Sequence, residues 1–293
     1  MDQITIKAYG KINLTLDITG KRNDGYHLLE MIMQSVDIYD TIKVEKSESN
    51  KSTIKCTGDH APSDSSNIAY KAAELMISKY KGAKAVDIDI VKRIPAAAGM
   101  AGGSADAAAV LFAMKSLFEM DITEQELRQT ALELGADIPF CLMGGTVLAQ
   151  GIGEDLTALD FMQLDLIVIK PEDSISTDKI YKSVDISKIT QRPDNKKALK
   201  AIAENDTELL VSSMYNVLEP ITKRFVPKIS DIEKDLKDNG AVFAMMTGSG
   251  SAVFGIFDDK DKMKAAYDEL KKTYDDIYIT KTLTGGLTVE KWN

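Results

Sequence analysis

Residues 92–114 read KRIPAAAGMAGGSADAAAVLFAM, and this stretch has the makings of a phosphate site. Glycines at 99, 102 and 103 let backbone N–H groups converge on an anion with no Cβ in the way. A helix starting just after them adds unpaired N–H groups and the positive end of its dipole. Ser104 stands at the junction. It can cap the helix, bond a phosphate oxygen or touch a magnesium ion. The competing reading is a tight strand-to-helix turn packed by small alanines, and glycine content alone does not choose between them. The segment is not a P-loop, because GxxxxGK[ST] is absent, and protein-kinase HRD and DFG signatures are absent too.

Three more stretches carry chemistry. In GKINLTLDITGKRNDGYHLLEMIMQSVD, residues 10–37, Lys11 and Asn13 share one side of a strand and Ile12 and Leu14 the other. A lysine there is either a solvated edge residue or a charge held in a site. RNDGYH is a turn bearing Tyr26 and His27, one of two histidines in the chain. It is either a surface turn with a half-buried tyrosine or a stacking platform with a hydrogen-bonding edge. In ELGADIPFCLMGG, Asp137 follows a helix end amid apolar residues, where a carboxylate needs a partner or becomes neutral. Lys11 is a candidate partner; an ordinary turn or capping aspartate is the alternative. MTGSGSAVFG, residues 246–255, is a second glycine–serine turn between strands.

These residues sit in a 293-residue chain of net charge -9, 44% hydrophobic and 28% charged. That length allows one large or two medium domains with a sizeable core. The acidic balance argues against a broad nucleic-acid surface but leaves room for a local basic pocket. Two cysteines, Cys56 and Cys141, do not make a disulfide framework and fit a reducing cytoplasm. The N-terminus lacks a basic-then-apolar signal pattern. The most apolar stretch is interrupted by glycines and Asp106, so it reads as a buried helix and not a membrane span.

Positioning elements follow from periodicity. Ile4, Ile6 and Ala8, then Ile12, Leu14, Leu16 and Ile18, alternate as strands. Residues 40–48, 52–58 and 85–94 add further strands. Ile68, Ala72, Leu75 and Met76 form a helical stripe that stops near Gly82. A helix runs from about Ser104, and another opens with Thr123 and Glu126 at capping-box spacing and closes at Gly135. The pattern restarts near Leu164 with a buried strand. Helices are expected around 194–204, 206–218 and 229–238, then two strands around Gly248 and Gly250, an amphipathic helix and a closing hairpin over 277–292. Strands and helices mix without strict βαβ alternation, so the expected fold is α+β in two halves, 1–155 and 156–293.

Together, Pro95-x-x-x-Gly99-Met100-x-Gly102-Gly103-Ser104, GADIPFCLMGGT and MTGSGSAVFG resemble the motifs of the GHMP kinase superfamily. The resemblance runs from Lys7 to Gly255. The segment KINLTLDITGKRNDGYHLLEMIMQSVD is most similar to the branch that phosphorylates a cytidine-diphosphate methylerythritol in non-mevalonate isoprenoid synthesis. The resemblance implies two α+β domains with the active site in their cleft. It implies ATP and Mg2+, with Asp137 as general base and Lys11 orienting the reacting groups and offsetting charge. Asn13 matches a substrate contact. Tyr26 and His27 match the cytosine site, with Tyr181 on the other face of the base and Thr177 nearby. Asn67 and Lys92 match the adenine side. Pro95, Ala96, Ala97, Ala98, Gly99, Met100, Ala101, Gly102, Gly103 and Ser104 match the loop around the phosphates, with Ser104 the candidate magnesium contact. Gly248 and Ser249 would close the cleft.

Two departures stand out. Many members carry Ala-Pro-Ala before the lysine, where this chain has Ala8-Tyr9-Gly10. Many have two serines after the double glycine, where Ala105 follows Ser104 here. The expectation is therefore a cytoplasmic small-molecule kinase, monomeric or weakly dimeric, with no nucleic-acid or membrane partner. The alternatives are another kinase of the superfamily, acting on homoserine or mevalonate, and a catalytically silent nucleotide-binding protein. A dinucleotide-binding oxidoreductase lacks its strand–GxGxxG–helix unit.

Overall fold

The computed structural model describes residues 2–58 and 61–292. Its frame is one long antiparallel hairpin, β1 (Gln3–Lys21) and β2 (His27–Lys46), paired along its whole length. Sequence alternation suggested several short strands here. Register shifts at Tyr9/Lys11, Asn13/Thr15 and Ile18/Gly20 break the alternation without ending the strand. Over residues 10–17 both faces of β1 are buried.

β2 is long enough to have two successive neighbours. Leu29–Gln34 pair with β5 (Thr146–Gly151), and Thr41–Lys46 pair with β4 (Val86–Val91). β3 (Thr53–Thr57) runs parallel to β4, and β6 (Asp155–Ala158) pairs with β5. On this sheet lies α2 (Gly102–Leu117), with α1 (Ile68–Lys79) packed against it. The expected α1 stripe is shifted: Ala69, Ala72, Ala73 and Met76 are buried, while Ile68 and Leu75 are half-buried. Small side chains dominate because α1 packs on α2, whose own buried face is Ala105, Ala107, Ala108, Ala109 and Ala113. Helix α3 (Glu124–Leu132) carries the expected Thr123–Glu126 capping box, and α4 (Ile138–Met143) follows it.

The second sheet has the order β10–β7–β9–β8, all antiparallel, from β7 (Asp165–Ile169), β8 (Phe243–Met246), β9 (Val253–Phe257) and β10 (Ile277–Lys281). Between β7 and β8 run α5 (Thr177–Lys182), α6 (Asn195–Glu204), α7 (Thr207–Val211), α8 (Glu219–Thr222) and α9 (Lys228–Asp238). Helix α10 (Lys260–Leu270) packs on the sheet beside α9. The helix expected over 206–218 stops at Val211. The chain beyond it pairs with β1 instead, with Leu16 N–H donating to Tyr215 O and Val217 N–H to Leu16 O, both at 3.0 Å.

The closing hairpin over 277–292 does not form. β10 belongs to the second sheet, whereas β11 (Leu287–Trp292) returns to the first and pairs with β1. Gly285 and Gly286 make a crossing, not a tight turn. The Gly286 backbone lies so close to Gly144 that a Cβ on Gly144 would sit 1.7 Å from the Gly286 nitrogen. The change of sheet falls between β6 and β7, just past the expected division at 155/156. Among the described residues no helix is long and apolar enough to cross a membrane.

Candidate active site

One cleft of ≈ 1180 Å³ is lined by every residue singled out from the sequence, from Lys11 and Asn13 to Gly248 and Ser249. β1 supplies its floor. Lys11 is 4% exposed and Asn13 is wholly buried, which excludes the solvated-edge reading of the lysine. Lys11 Nζ donates to Asn13 Oδ1 at 2.5 Å. The Asn13 backbone N–H donates to Thr247 Oγ1 at 2.9 Å, so the second half of the chain holds the pair from behind. Burial pulls the Lys11 ammonium below the usual lysine range, and the Asp137 charge opposes that pull.

Asp137 occupies the N-cap position of α4 but makes no capping bond. That is the cap position without the cap function: its carboxylate is left for the cleft. Lys11 and Asp137 share the cleft and feel each other's charge, yet among the described residues no ion pair within 4 Å joins them. The direct partner of Lys11 is Asn13.

Both readings of the glycine turn hold at once. The alanines of α2 pack the helix, and the loop ahead of it opens onto the cleft. The helix begins at Gly102, two residues earlier than expected. Ala97, Gly99 and Ala101 all have positive φ, at 50°, 74° and 60°. Two of these are not glycine, a local strain of about 1–3 kcal/mol each that only surrounding contacts can sustain. Those contacts come from both halves: Lys11 N–H donates to Met100 O at 3.1 Å and Ala252 N–H to Ala98 O at 3.2 Å. The loop also abuts the second glycine turn. A Cβ on Gly99 would lie 2.4 Å from Thr247 O, and one on Gly248 would lie 2.7 Å from Gly99 O. We therefore expect Gly99→Ala to lower the melting temperature, because its Cβ would meet the Thr247 carbonyl. A thermal melt on that variant checks this, and an unchanged midpoint would contradict the contact.

Asn67 and Lys92 line the same end but are already engaged. Asn67 Oδ1 caps α1 by accepting from Ala69 N–H at 2.9 Å, and its Nδ2 donates to Pro62 O at 2.8 Å. Lys92 lies between two buried carboxylates, Asp40 and Asp106. Burial works against its charge, but Asp106 and Asp40 together hold its pKa above the ordinary value.

At the other end, the turn after β1 is closed by Arg22 N–H donating to Tyr26 O at 2.7 Å. Tyr26 is 61% exposed, an apolar ring presented at the mouth of the cleft. The rings of His27 and Tyr181 lie 5.6 Å apart, tilted by 39°. Tyr181 thus stands beside His27, not paired with Tyr26. Burial, then the charge of Lys21, lowers the His27 pKa, which favours the neutral ring with its one donor and one acceptor. Burial and the Asp137 charge push the Tyr181 phenol up. Thr177 Oγ1 and Ser249 Oγ are 2.8 Å apart and tie α5 to the second glycine turn.

Two positioning residues escaped sequence reading. Asn216, wholly buried, donates to Met246 O at 2.9 Å and Gly248 O at 2.8 Å. Thr222 Oγ1 donates to Ser249 O at 3.1 Å. Their partners lie some thirty residues away in sequence, so no local pattern announces them.

Residues 67–145 match the GHMP kinases N terminal domain, and residues 198–276 match the GHMP kinases C terminal domain. The chain is 43% identical to the 4-diphosphocytidyl-2-C-methyl-D-erythritol kinase of Clostridium beijerinckii over 279 residues, 95% of this chain and 99% of that protein. The chain belongs to the GHMP kinase family. This GHMP kinase is also 44% identical to the Clostridium novyi protein of the same name over 278 residues, covering 94% of this chain and 99% of that one. Its fold matches a crystal structure of 4-(cytidine 5'-diphospho)-2C-methyl-D-erythritol kinase with a TM-score of 0.82 at 29% identity, covering 96% of this chain and 100% of that one. A homoserine kinase from Cytophaga hutchinsonii matches at a TM-score of 0.80 and 20% identity, covering 99% and 98% of the two chains, a likeness of fold alone.

Proposed function

We propose that this GHMP kinase transfers the γ-phosphoryl group of ATP to the 2-hydroxyl of 4-diphosphocytidyl-2-C-methyl-D-erythritol, giving the 2-phosphate and ADP. The observation that supports this reading is a single cleft joining an aromatic turn at one end to a glycine loop at the other, with Lys11, Asn13 and Asp137 between them.

Phosphoryl transfer needs positioning and charge neutralisation more than covalent chemistry. The loop 95–104 and the N-terminus of α2 hold the triphosphate of the magnesium–ATP substrate. Ser104 is the hydroxyl at the α2 N-terminus that can touch a phosphate oxygen or the magnesium ion ATP brings. Asp137 accepts the proton of the attacking hydroxyl. Lys11 fixes the hydroxyl through its own ordered position against Asn13 and offsets charge building on the transferred group. Tyr26 stacks on the cytosine, and His27 reads its edge in the neutral form. Holding the cytidine far from the reacting hydroxyl turns remote binding into alignment. We take the enzyme to be cytoplasmic and monomeric or weakly dimeric, with no nucleic-acid partner, in keeping with its acidic charge and two free cysteines.

The test is a coupled ADP-release assay with magnesium–ATP and 4-diphosphocytidyl-2-C-methyl-D-erythritol, run beside homoserine and mevalonate, with phosphorus NMR on the product. A new phosphomonoester on the cytidylated alcohol alone is expected. Turnover on another alcohol only would keep the kinase chemistry and discard the acceptor. In the same assay Tyr26→Ala should raise the acceptor KM roughly tenfold, from about 1–3 kcal/mol per stacked base. Its exposed ring supports no core, so the melting temperature should stay put. An unchanged KM would remove Tyr26 from the base site.

A further inference from the structure

The strained loop 95–101 needs something to hold its two ends, and both lead to one side chain outside the cleft. Asp40 lies on β2 where pairing passes from β5 to β4. Its carboxylate is fully buried. Oδ1 accepts from the backbone N–H groups of Arg93 at 2.5 Å and Ile94 at 2.9 Å, the last residues before Pro95. Oδ2 pairs with Lys92 Nζ. The same Lys92 Nζ reaches Asp106 Oδ2 at 2.6 Å, in the first turns of α2. The loop entry is thus held directly, and its exit through one lysine.

We propose that Asp40 is the positioning residue of the phosphate loop, one buried carboxylate that sets the spacing between the strand end at 92–94 and the start of α2. It acts through Lys92 and the loop backbone, because Lys92 and Asp106 line the cleft and Asp40 does not. Burying a carboxylate costs several kcal/mol before its partners are counted, and an apolar residue could fill the space without that cost. Three charge-assisted bonds to one loop give the carboxylate a geometric task that an apolar side chain could not perform. Placement therefore matters as much as charge. A residue one methylene longer would keep the ion pair but shift the loop entry relative to α2.

This inference rests on the reading that loop 95–104 holds the nucleotide. The experiment measures the Kd of a non-hydrolysable ATP analogue with magnesium by calorimetry, and the acceptor KM and kcat at saturating ATP. Asp40→Asn keeps an acceptor for the two backbone amides but turns an amide NH2 toward Lys92. It should weaken nucleotide binding by about tenfold, the size of one charge-assisted bond, with the acceptor KM unchanged. Asp40→Glu retains the charge and is the second variant to measure should Asp40→Asn fail to fold; it should weaken the nucleotide severalfold with the same selectivity. A wild-type Kd in either folded variant would overturn the proposal, as would parallel losses for nucleotide and acceptor, the mark of general loosening. Wild-type protein that bound no nucleotide would instead bring down the functional reading, and this inference with it.

Discussion

Asp137→Ala should lose nearly all turnover, a fall of about 10²–10⁴ from removing a positioned base, while nucleotide affinity changes little. The side chain is half-buried at the head of α4 and makes no capping bond, so its removal disturbs no helix. Stability should therefore hold, and a loss of rate will report chemistry. The glycine loop proposed to hold the nucleotide precedes α2 and is tied by backbone hydrogen bonds to Lys11 of β1 and to Ala252 beside β9, none of which involves Asp137. Measuring kcat, the nucleotide Kd and the melting temperature on one preparation separates these effects. Turnover near wild type would end the assignment of Asp137 as base.

Lys11→Ala should cost about 10²–10³ in kcat, the range seen when one preorganised charge stabiliser is removed. The variant also leaves Asn13 Oδ1 without its donor in a buried site, so some stability goes with it. A pH profile isolates the chemical part. Burial places the folded-state pKa of Lys11 below the ordinary 10.5, so the wild-type rate should fall on the alkaline side before pH 10.5 is reached. In the window between the depressed folded value and 10.5 the unfolded chain binds more protons, so this group adds stability as pH rises. Lys11→Ala should remove both effects. An alkaline limb that persisted in the variant would assign it to another group.

Much of the site could be read from sequence because its parts are local. The glycine turn before α2 and the capping box of α3 each depend on residues a few positions apart. So does the placement of Asp137 between two helices. Lys11 was legible as a candidate but not as buried, since alternation predicts one covered face, whereas α2 and the second half of the chain pack against β1 and residues 10–17 are all buried. Asp40 and Asn216 were illegible for a different reason. An aspartate at a strand's middle and an asparagine in irregular chain say nothing until partners far away in sequence are brought to them. The last strand misled for want of any local sign. Two strand-like runs around a Gly-Gly pair look like a hairpin, and only the pairing of β11 with distant β1 shows the chain passing from one sheet to the other.

That passage bears on how the protein can be taken apart. With β11 pairing to β1, the chain crosses between the sheets twice, once after β6 and once after β10. The halves are therefore not interchangeable cassettes. A gene cut at residue 155 would deliver a first half with its edge strand missing and β1 open along one side, and a second half carrying an orphaned strand. A chimera that swaps acceptor specificity must carry residues 287–292 with the first half, or splice inside the cleft and leave both crossings in place.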